Sequence, residues 1–236
     1  MNQSKDILKV LISLSNKEKK EFLPRFFKTG KGEYGEGDIF WGITVPNIRE
    51  VAKRYFKNIS LEDVKPLLNN EVHEVRLTGY IILTYKFEKG DINTKREIYH
   101  FYINNLDGCN NWDIVDLSCY KILGEYLYIS KESTDILYDF ARSKNMWKQR
   151  ISIVSTFSFI KKNEFKHTLE ISKILLKSKE DLIQKAIGWM LREVGKRDIG
   201  VLREFLNTNI KDISRTSLRY AIERMDEKER KVYLKM

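Results

Sequence analysis

Five times along the chain a charged residue stands just ahead of a strongly apolar helical stretch, at nearly constant spacing. Arg76 opens RLTGYIIL, Asp116 opens DLSCYKIL, Arg150 opens RISIVSTF, Lys185 opens KAIGWMLR and Arg219 opens RYAIERM, at intervals of 40, 34, 35 and 34 residues. Apolar residues in these stretches recur three or four apart, as in Ile151, Val154 and Phe157, or Ala186, Ile187, Met190, Leu191 and Val194. That is helical periodicity. A period of this size, two helices to each repeat, is the signature of an α-solenoid; chance recurrence in an irregular helical bundle is the alternative. In the solenoid the five residues stand at near-equivalent positions of successive second helices and line one concave face. Four of the five are basic.

Punctuation agrees with an all-helical chain. There are three prolines, and outside residues 28–46 the glycines are isolated. Ser60-Leu-Glu-Asp63, Ser178-Lys-Glu-Asp181 and Asp226-Glu-Lys-Glu229 resemble helix N-caps with an acid in the first turn, and Thr44-Val45-Pro46 opens a helix with proline near its start. The expected fold is all-α: a HEAT-like helical repeat solenoid with a basic concave face, one domain over residues 1–236, and one short β-hairpin insertion near the N-terminus at about residues 28–43.

The hairpin expectation comes from KTGKGEYGEGDIFWGITVP, residues 28–46, which holds five of the twelve glycines. Gly30-Lys31-Gly32-Glu33-Tyr34-Gly35 spells G-x-G-x-x-G, but a dinucleotide site needs a strand before its first glycine and a helix after its last. Here LPRFFKTG reads as a helix end and GDIFWGI as β-prone, and no Walker or kinase signature accompanies the run. No nucleotide cofactor is expected. The run reads as a hairpin with Lys28, Lys31 and Tyr34 near its tip, or as a disordered surface loop.

Charge suggests a polyanionic partner, with a surface of merely solvated lysines as the alternative. Lys and Arg number 43 against 33 Asp and Glu, a formal net charge of +10, and cations that neutralise phosphates release condensed counterions. Cys109 and Cys119 form no C-x-x-C pair, and His73, His100 and His167 stand in no ligand spacing, so no metal or other cofactor is expected. The first segment, MNQSKDILKVLISLSNKEKK, is amphipathic and lacks a small-residue cleavage site, so it reads as a helix rather than a signal peptide. No apolar run approaches the roughly 20 residues that cross a bilayer. A cytoplasmic protein is expected.

Two clusters stand out as chemistry. Trp112 and Asp116 are four apart in NNWDIVDLSCYKIL and share a helix face, with Asn111 as a plausible N-cap. Lys185, Trp189 and Arg192 share another face in QKAIGWMLREVGKRD. Each tryptophan alone is readily explained by core packing; the combination with a carboxylate, the intervening Arg150 and further cations is more specific.

At these residues the chain resembles the AlkD family of HEAT-like-repeat DNA glycosylases, through WDIVDLS, MWKQRISIV and LIQKAIGWMLRE, in an order and spacing that extend from about residue 20 to 225. The resemblance implies DNA as partner; a monomer is expected. It also implies roles in catalysis for Trp112, Asp116 and Trp189 around a damaged nucleotide, with Arg150 and Arg192 on the DNA backbone. Lys148, Lys185, Lys28, Lys31 and Tyr34 complete the expected DNA-binding set. The activity implied is hydrolysis of the N-glycosidic bond of cationic N3- or N7-alkylated purines, without the base being swallowed by a pocket. GKGEYGEGD departs from the family, which has a short connection there; the insertion resembles a subset with an extended hairpin that binds branched DNA without excising bases. A protein-binding scaffold is the remaining alternative, for which an apolar or acidic groove is expected.

Overall fold

A computed structural model of the chain describes residues 3–236. The chain divides into two compact units, residues 1–123 and 124–236. The first contains α1 (Gln3–Ser13), α2 (Lys17–Phe26), α3 (Val45–Tyr55), α4 (Leu61–Leu68), α5 (His73–Lys89), α6 (Ile92–Ile103), a 3-10 turn (Leu106–Gly108) and α7 (Trp112–Cys119), which runs on into a π turn at Tyr120–Gly124. The second contains α8 (Glu125–Ser130), α9 (Asp135–Arg142), α10 (Met146–Ser155), α11 (Phe157–Ile160), α12 (Lys166–Leu175), α13 (Asp181–Gly195), α14 (Ile199–Asn209), α15 (Arg215–Ala221) and α16 (Glu227–Lys235). The all-α expectation holds among the described residues.

Each unit is built around one long helix. In the first, α3, α4, α6 and α7 pack on α5, whose buried residues run unbroken from His73 to Thr84. In the second, α10, α12, α14 and α15 pack on α13. Close approach there depends on Gly188: a Cβ at this position would lie 2.4 Å from the Tyr220 Cβ and 2.5 Å from the Ser217 carbonyl oxygen. A mid-helix glycine costs about 1 kcal/mol in propensity, and it is retained where two backbones must nearly touch.

Helix starts fall where the local chemistry asks for them. Ser60, Asp226, Thr44 and Asn111 all accept a backbone N–H from the first turn of the helix that follows. The exception is Ser178: α13 begins three residues later at Asp181, and the Ser178 hydroxyl instead accepts the Glu180 N–H in the preceding turn. The 34- to 40-residue spacing is also a helical register. Arg76 is the fourth residue of α5, and Asp116, Arg150, Lys185 and Arg219 are the fifth residues of α7, α10, α13 and α15.

The β-hairpin is not there. Among the described residues the only β pairing is a single parallel bridge between Ile39 and Val72. Residues 28–38 form consecutive turns, with the Glu33 N–H on the Gly30 carbonyl, the Gly35 N–H on the Lys28 carbonyl and the Asp38 N–H on the Gly35 carbonyl, each at 3.0 Å. The reason lies in the acids between the glycines. Glu33 accepts the Gly30 N–H and Glu36 the Gly32 N–H, both at 2.8 Å, so local side chains take the donors that a strand ladder would need. Lys28 sits at the base of this segment, with φ of 52°, rather than at a hairpin tip; Lys31 is exposed and Tyr34 half-buried.

Candidate nucleic-acid interface

The start of α7 is held by a buried polar network. Asn111, fully buried, accepts the Trp112 N–H on its side-chain oxygen and donates its amide to Asp38 at 2.9 Å. Asp38 also accepts from the Arg76 guanidinium and from His73 Nδ1 at 3.4 Å, while His73 Nε2 donates to Asp113 at 2.8 Å. Arg76 spends its other terminal nitrogen on the carbonyls of Asn70 and Glu71, at 2.8 and 3.0 Å. Burial opposes the charge on His73, yet the carboxylates of Asp113 and Asp38 outweigh it and raise the imidazole to about 9. His73 is therefore an imidazolium at neutral pH. Burial likewise opposes the Asp38 charge, but hydrogen bonds from His73 and Asn111 and the Arg76 guanidinium hold its carboxyl below the ordinary range.

Glu74, the next residue of α5, anchors the chain beyond the glycine-rich turns. Its carboxylate accepts the N–H groups of Trp41, Gly42 and Ile43 at 2.7–3.1 Å. Residues 28–43 are thus tied to α5 and α7 by two acids and an arginine. None of these partners is local: Asp38 is 73 residues from Asn111, and Glu74 is 33 from Trp41. In the sequence His73 stands in no ligand spacing, and no motif marks Asp38, Glu74 or Asp113. The one available signal is the expected Asn111 cap, since a cap residue so placed needs its amide satisfied as well.

Trp112 and Asp116 share one face of α7, and both are half-buried. The indole stacks on Phe27, with centroids 5.4 Å apart and planes 17° apart, and Phe26 meets it edge-on at 6.0 Å. Phe27 in turn stacks on Phe40 at 5.0 Å, and His73 packs against both phenylalanines. Helix α2 and the residues after it therefore fix the ring. Cys109, buried just ahead of α7, has its thiol pushed up to about 12 by burial, which removes it as a nucleophile at neutral pH.

The second unit carries the other predicted residues. Asn145 caps α10 by accepting the N–H groups of Trp147 and Lys148. Lys148 is half-buried with its ammonium 5.7 Å from the Phe140 ring centroid. Arg150 does not stand on a surface: it is 5% exposed, and its guanidinium donates to the Leu182 carbonyl in the first turn of α13. Arg76, 4% exposed, uses backbone carbonyls in the same way. Two of the four repeat cations are thus internal, because a planar fork of donors satisfies carbonyls at a packed helix end. On α13, Lys185 pairs with Asp181 at 2.7 Å and stays partly exposed, and Trp189 is half-buried, 6.3 Å from Phe157. Arg192 is engaged by Glu223 and, at 3.8 Å, by Glu193. Arg219 is exposed. Among the described residues no group of three His, Cys, Asp or Glu side chains converges to hold a metal ion.

An all-helical protein that presents tryptophans beside charged groups on capped helices is the class this geometry defines. Solved structures share the fold. One described as a predicted DNA alkylation repair enzyme from Enterococcus faecalis superposes with a TM-score of 0.71 at 17% identity, over 90% of this chain and 97% of that one. Another, from Streptococcus mutans, gives 0.55 at 17% identity, over 88% and 99%. No curated protein sequence matches the chain. The profile of the DNA alkylation repair enzyme family matches residues 7–225, and the chain belongs to that family. A DNA-repair role follows from the membership. No helix among the described residues is long and apolar enough to cross a membrane.

Proposed function

We propose that this chain is a monofunctional DNA glycosylase acting on purines made cationic by alkylation at N3 or N7. The observation that carries the reading is the pairing of Trp112 with Asp116 on one face of a helix whose start is locked by Asn111. A cationic purine needs no proton to leave: the C1′–N bond breaks with its electron pair moving to the base, which becomes neutral. The sugar is left oxocarbenium-like. The Asp116 carboxylate stabilises that cation and orients water, whose oxygen bonds C1′ while its proton passes through the carboxylate to solvent. The face of Trp112 on the first unit attracts the sugar and the cationic lesion, and Trp189 on the second unit is assigned the same chemistry. Lys185, Arg192 and Lys148 serve the phosphates, and Arg150 contributes by holding the first turn of α13.

The test is duplex DNA carrying N7-methylguanine, scored for abasic sites. Release is expected from the wild type and absent from Asp116→Asn, with duplex affinity retained. A second reading, a non-catalytic binder of branched or distorted DNA, is favoured by the exposed Lys28 and Lys31 on a segment tied through Asp38 to the α7 cap. No release from the wild type, alongside preference for four-way junctions over duplex, establishes the second reading and refutes the first.

A further inference from the structure

A groove of about 500 Å³ opens between the end of α1, the first turns of α2 and the chain after the glycine-rich turns, lined by Ile12, Ser15, Asn16, Lys17, Lys20 and Trp41. It uses none of the residues on α7 or α13. Its aromatic wall is held from behind. The Trp41 N–H donates to the Glu74 carboxylate, and its carbonyl accepts the Asn16 N–H at 3.0 Å. Gly42, with φ of 80°, lets the chain press on α2: a Cβ there would lie 2.2 Å from the Asn16 carbonyl oxygen and 2.7 Å from the Lys20 nitrogen. The backbone of Trp41 is fixed, yet its side chain is not spent. Among the described residues the indole stacks on no other ring and its N–H has no protein acceptor, although Trp41 is only partly exposed.

Lys17 and Lys20, three apart and so on one face of α2, have no carboxylate within ion-pair distance among the described residues, while Ile12 adds an apolar surface that is 54% exposed. A flat aromatic, an apolar patch and two unpaired cations in one groove match a base with its flanking phosphates. Every base offers a π-face to an aromatic platform, and lysines track the backbone. An intact duplex keeps its base faces stacked and could use only the lysines.

We propose that this groove binds an unpaired nucleotide of single-stranded DNA, with the base on Trp41 and its phosphates on Lys17 and Lys20. The site is separate from Asp116 and stands whether or not this chain cleaves glycosidic bonds.

The experiment compares full-length wild type with Trp41→Leu, Trp41→Phe and the double variant Lys17→Glu/Lys20→Glu. Fluorescence anisotropy reads binding of labelled dT12 and of a labelled 12-base-pair duplex. Trp41→Leu is expected to weaken dT12 binding about tenfold, the loss of one stacked base, while duplex affinity stays within about twofold. Trp41→Phe, which keeps a ring, retains most of the dT12 affinity and controls for disturbed folding. The double lysine variant lowers the salt slope for dT12 by about 1.4, two single-strand phosphates. Asp116→Asn leaves dT12 binding intact, which separates failure here from failure of the catalytic reading. The proposal is overturned if Trp41→Leu loses dT12 and duplex equally, if it loses neither, or if poly-glutamate displaces dT12 equally well from wild type and Trp41→Leu.

Discussion

Helices α2 and α5 both carry charges and aromatic rings, and they dispose of them in opposite ways. Helix α5 buries thirteen of its seventeen residues, His73, Glu74 and Arg76 included. Helix α2 buries none of its ten, and leaves Phe22 and Phe26 at 62% and 52% exposure. The buried charges of α5 are matched: a guanidinium, an imidazolium and a carboxylate each meet partners drawn from residues 38–43, from residues 70–71 or from the start of α7. Those of α2 include Lys17 and Lys20, which among the described residues make no ion pair, although Glu18 and Glu21 lie on the same helix. A net charge of +10 therefore says less about binding than its division into cations already paired inside and cations left outside.

The largest effect should come from breaking the paired side. Arg76→Ala leaves Asp38 buried beside a reduced set of donors, and removing one partner of a buried ion pair costs about 3–5 kcal/mol. Denaturant unfolding should show that loss; a change below about 1 kcal/mol would show that Asp38 does not depend on Arg76.

Next comes the pH dependence of the same network. His73 has its folded value raised above the unfolded one, so its contribution is complete below about pH 6.5 and is lost as the pH climbs through about 9. Asp38 is lowered, so its contribution is present above the ordinary carboxylate range and is lost as the pH falls. Stability of the wild type should therefore decline on the alkaline side by a few kcal/mol, since each tenfold gain in proton affinity on folding is worth about 1.4 kcal/mol. His73→Gln should flatten that limb and shrink the acid limb without abolishing it, since Arg76 and Asn111 still hold Asp38. Thermal melts from about pH 2 to 10 decide it, and an unchanged alkaline limb in the variant would rule the imidazolium out as its cause.

The smallest effect belongs to the open side. Phe22→Ala on α2 should change folding stability by no more than about 0.5 kcal/mol, as for a surface position away from any buried feature. A larger loss in the same unfolding experiment would mean that α2 is held by its aromatic face after all, and the contrast with α5 would narrow.

Much of the fold is legible because its signals are local. The Ser60, Asp226, Thr44 and Asn111 caps lie within three residues of the groups they satisfy, and the recurrent charge marks the fourth or fifth residue of five helices. Depth is not legible. Period places Arg150 on a helix but does not say that Leu182, 32 residues on, offers its guanidinium a carbonyl. The glycine-rich run misleads for a related reason. β-prone residues around glycines suggest paired strands, whereas the outcome is set by Glu33 and Glu36 nearby and by Glu74, Arg76 and Asn111 far along the chain. Trp112 and Asp116 can be paired from spacing alone; the stack of Phe27 and Phe40 behind the indole cannot.

The manner in which residues 28–38 are secured has a consequence for how such a chain can vary. Gly32 and Gly37 take left-handed conformations with nothing within 4 Å of where a Cβ would be, whereas Gly35 between them is buried, its N–H on the Lys28 carbonyl and its Cα against the Phe27 carbonyl; the long-range contacts begin at Asp38. Lengthening a loop is cheap in entropy, about 0.6 kcal/mol for each doubling. At the exposed Lys31 and Gly32 the chain can therefore accept inserted residues, a reporter group or a peptide tag while Gly35 and Asp38 keep their contacts and α7 its footing. It is a place where length is free to drift, beside residues that are not.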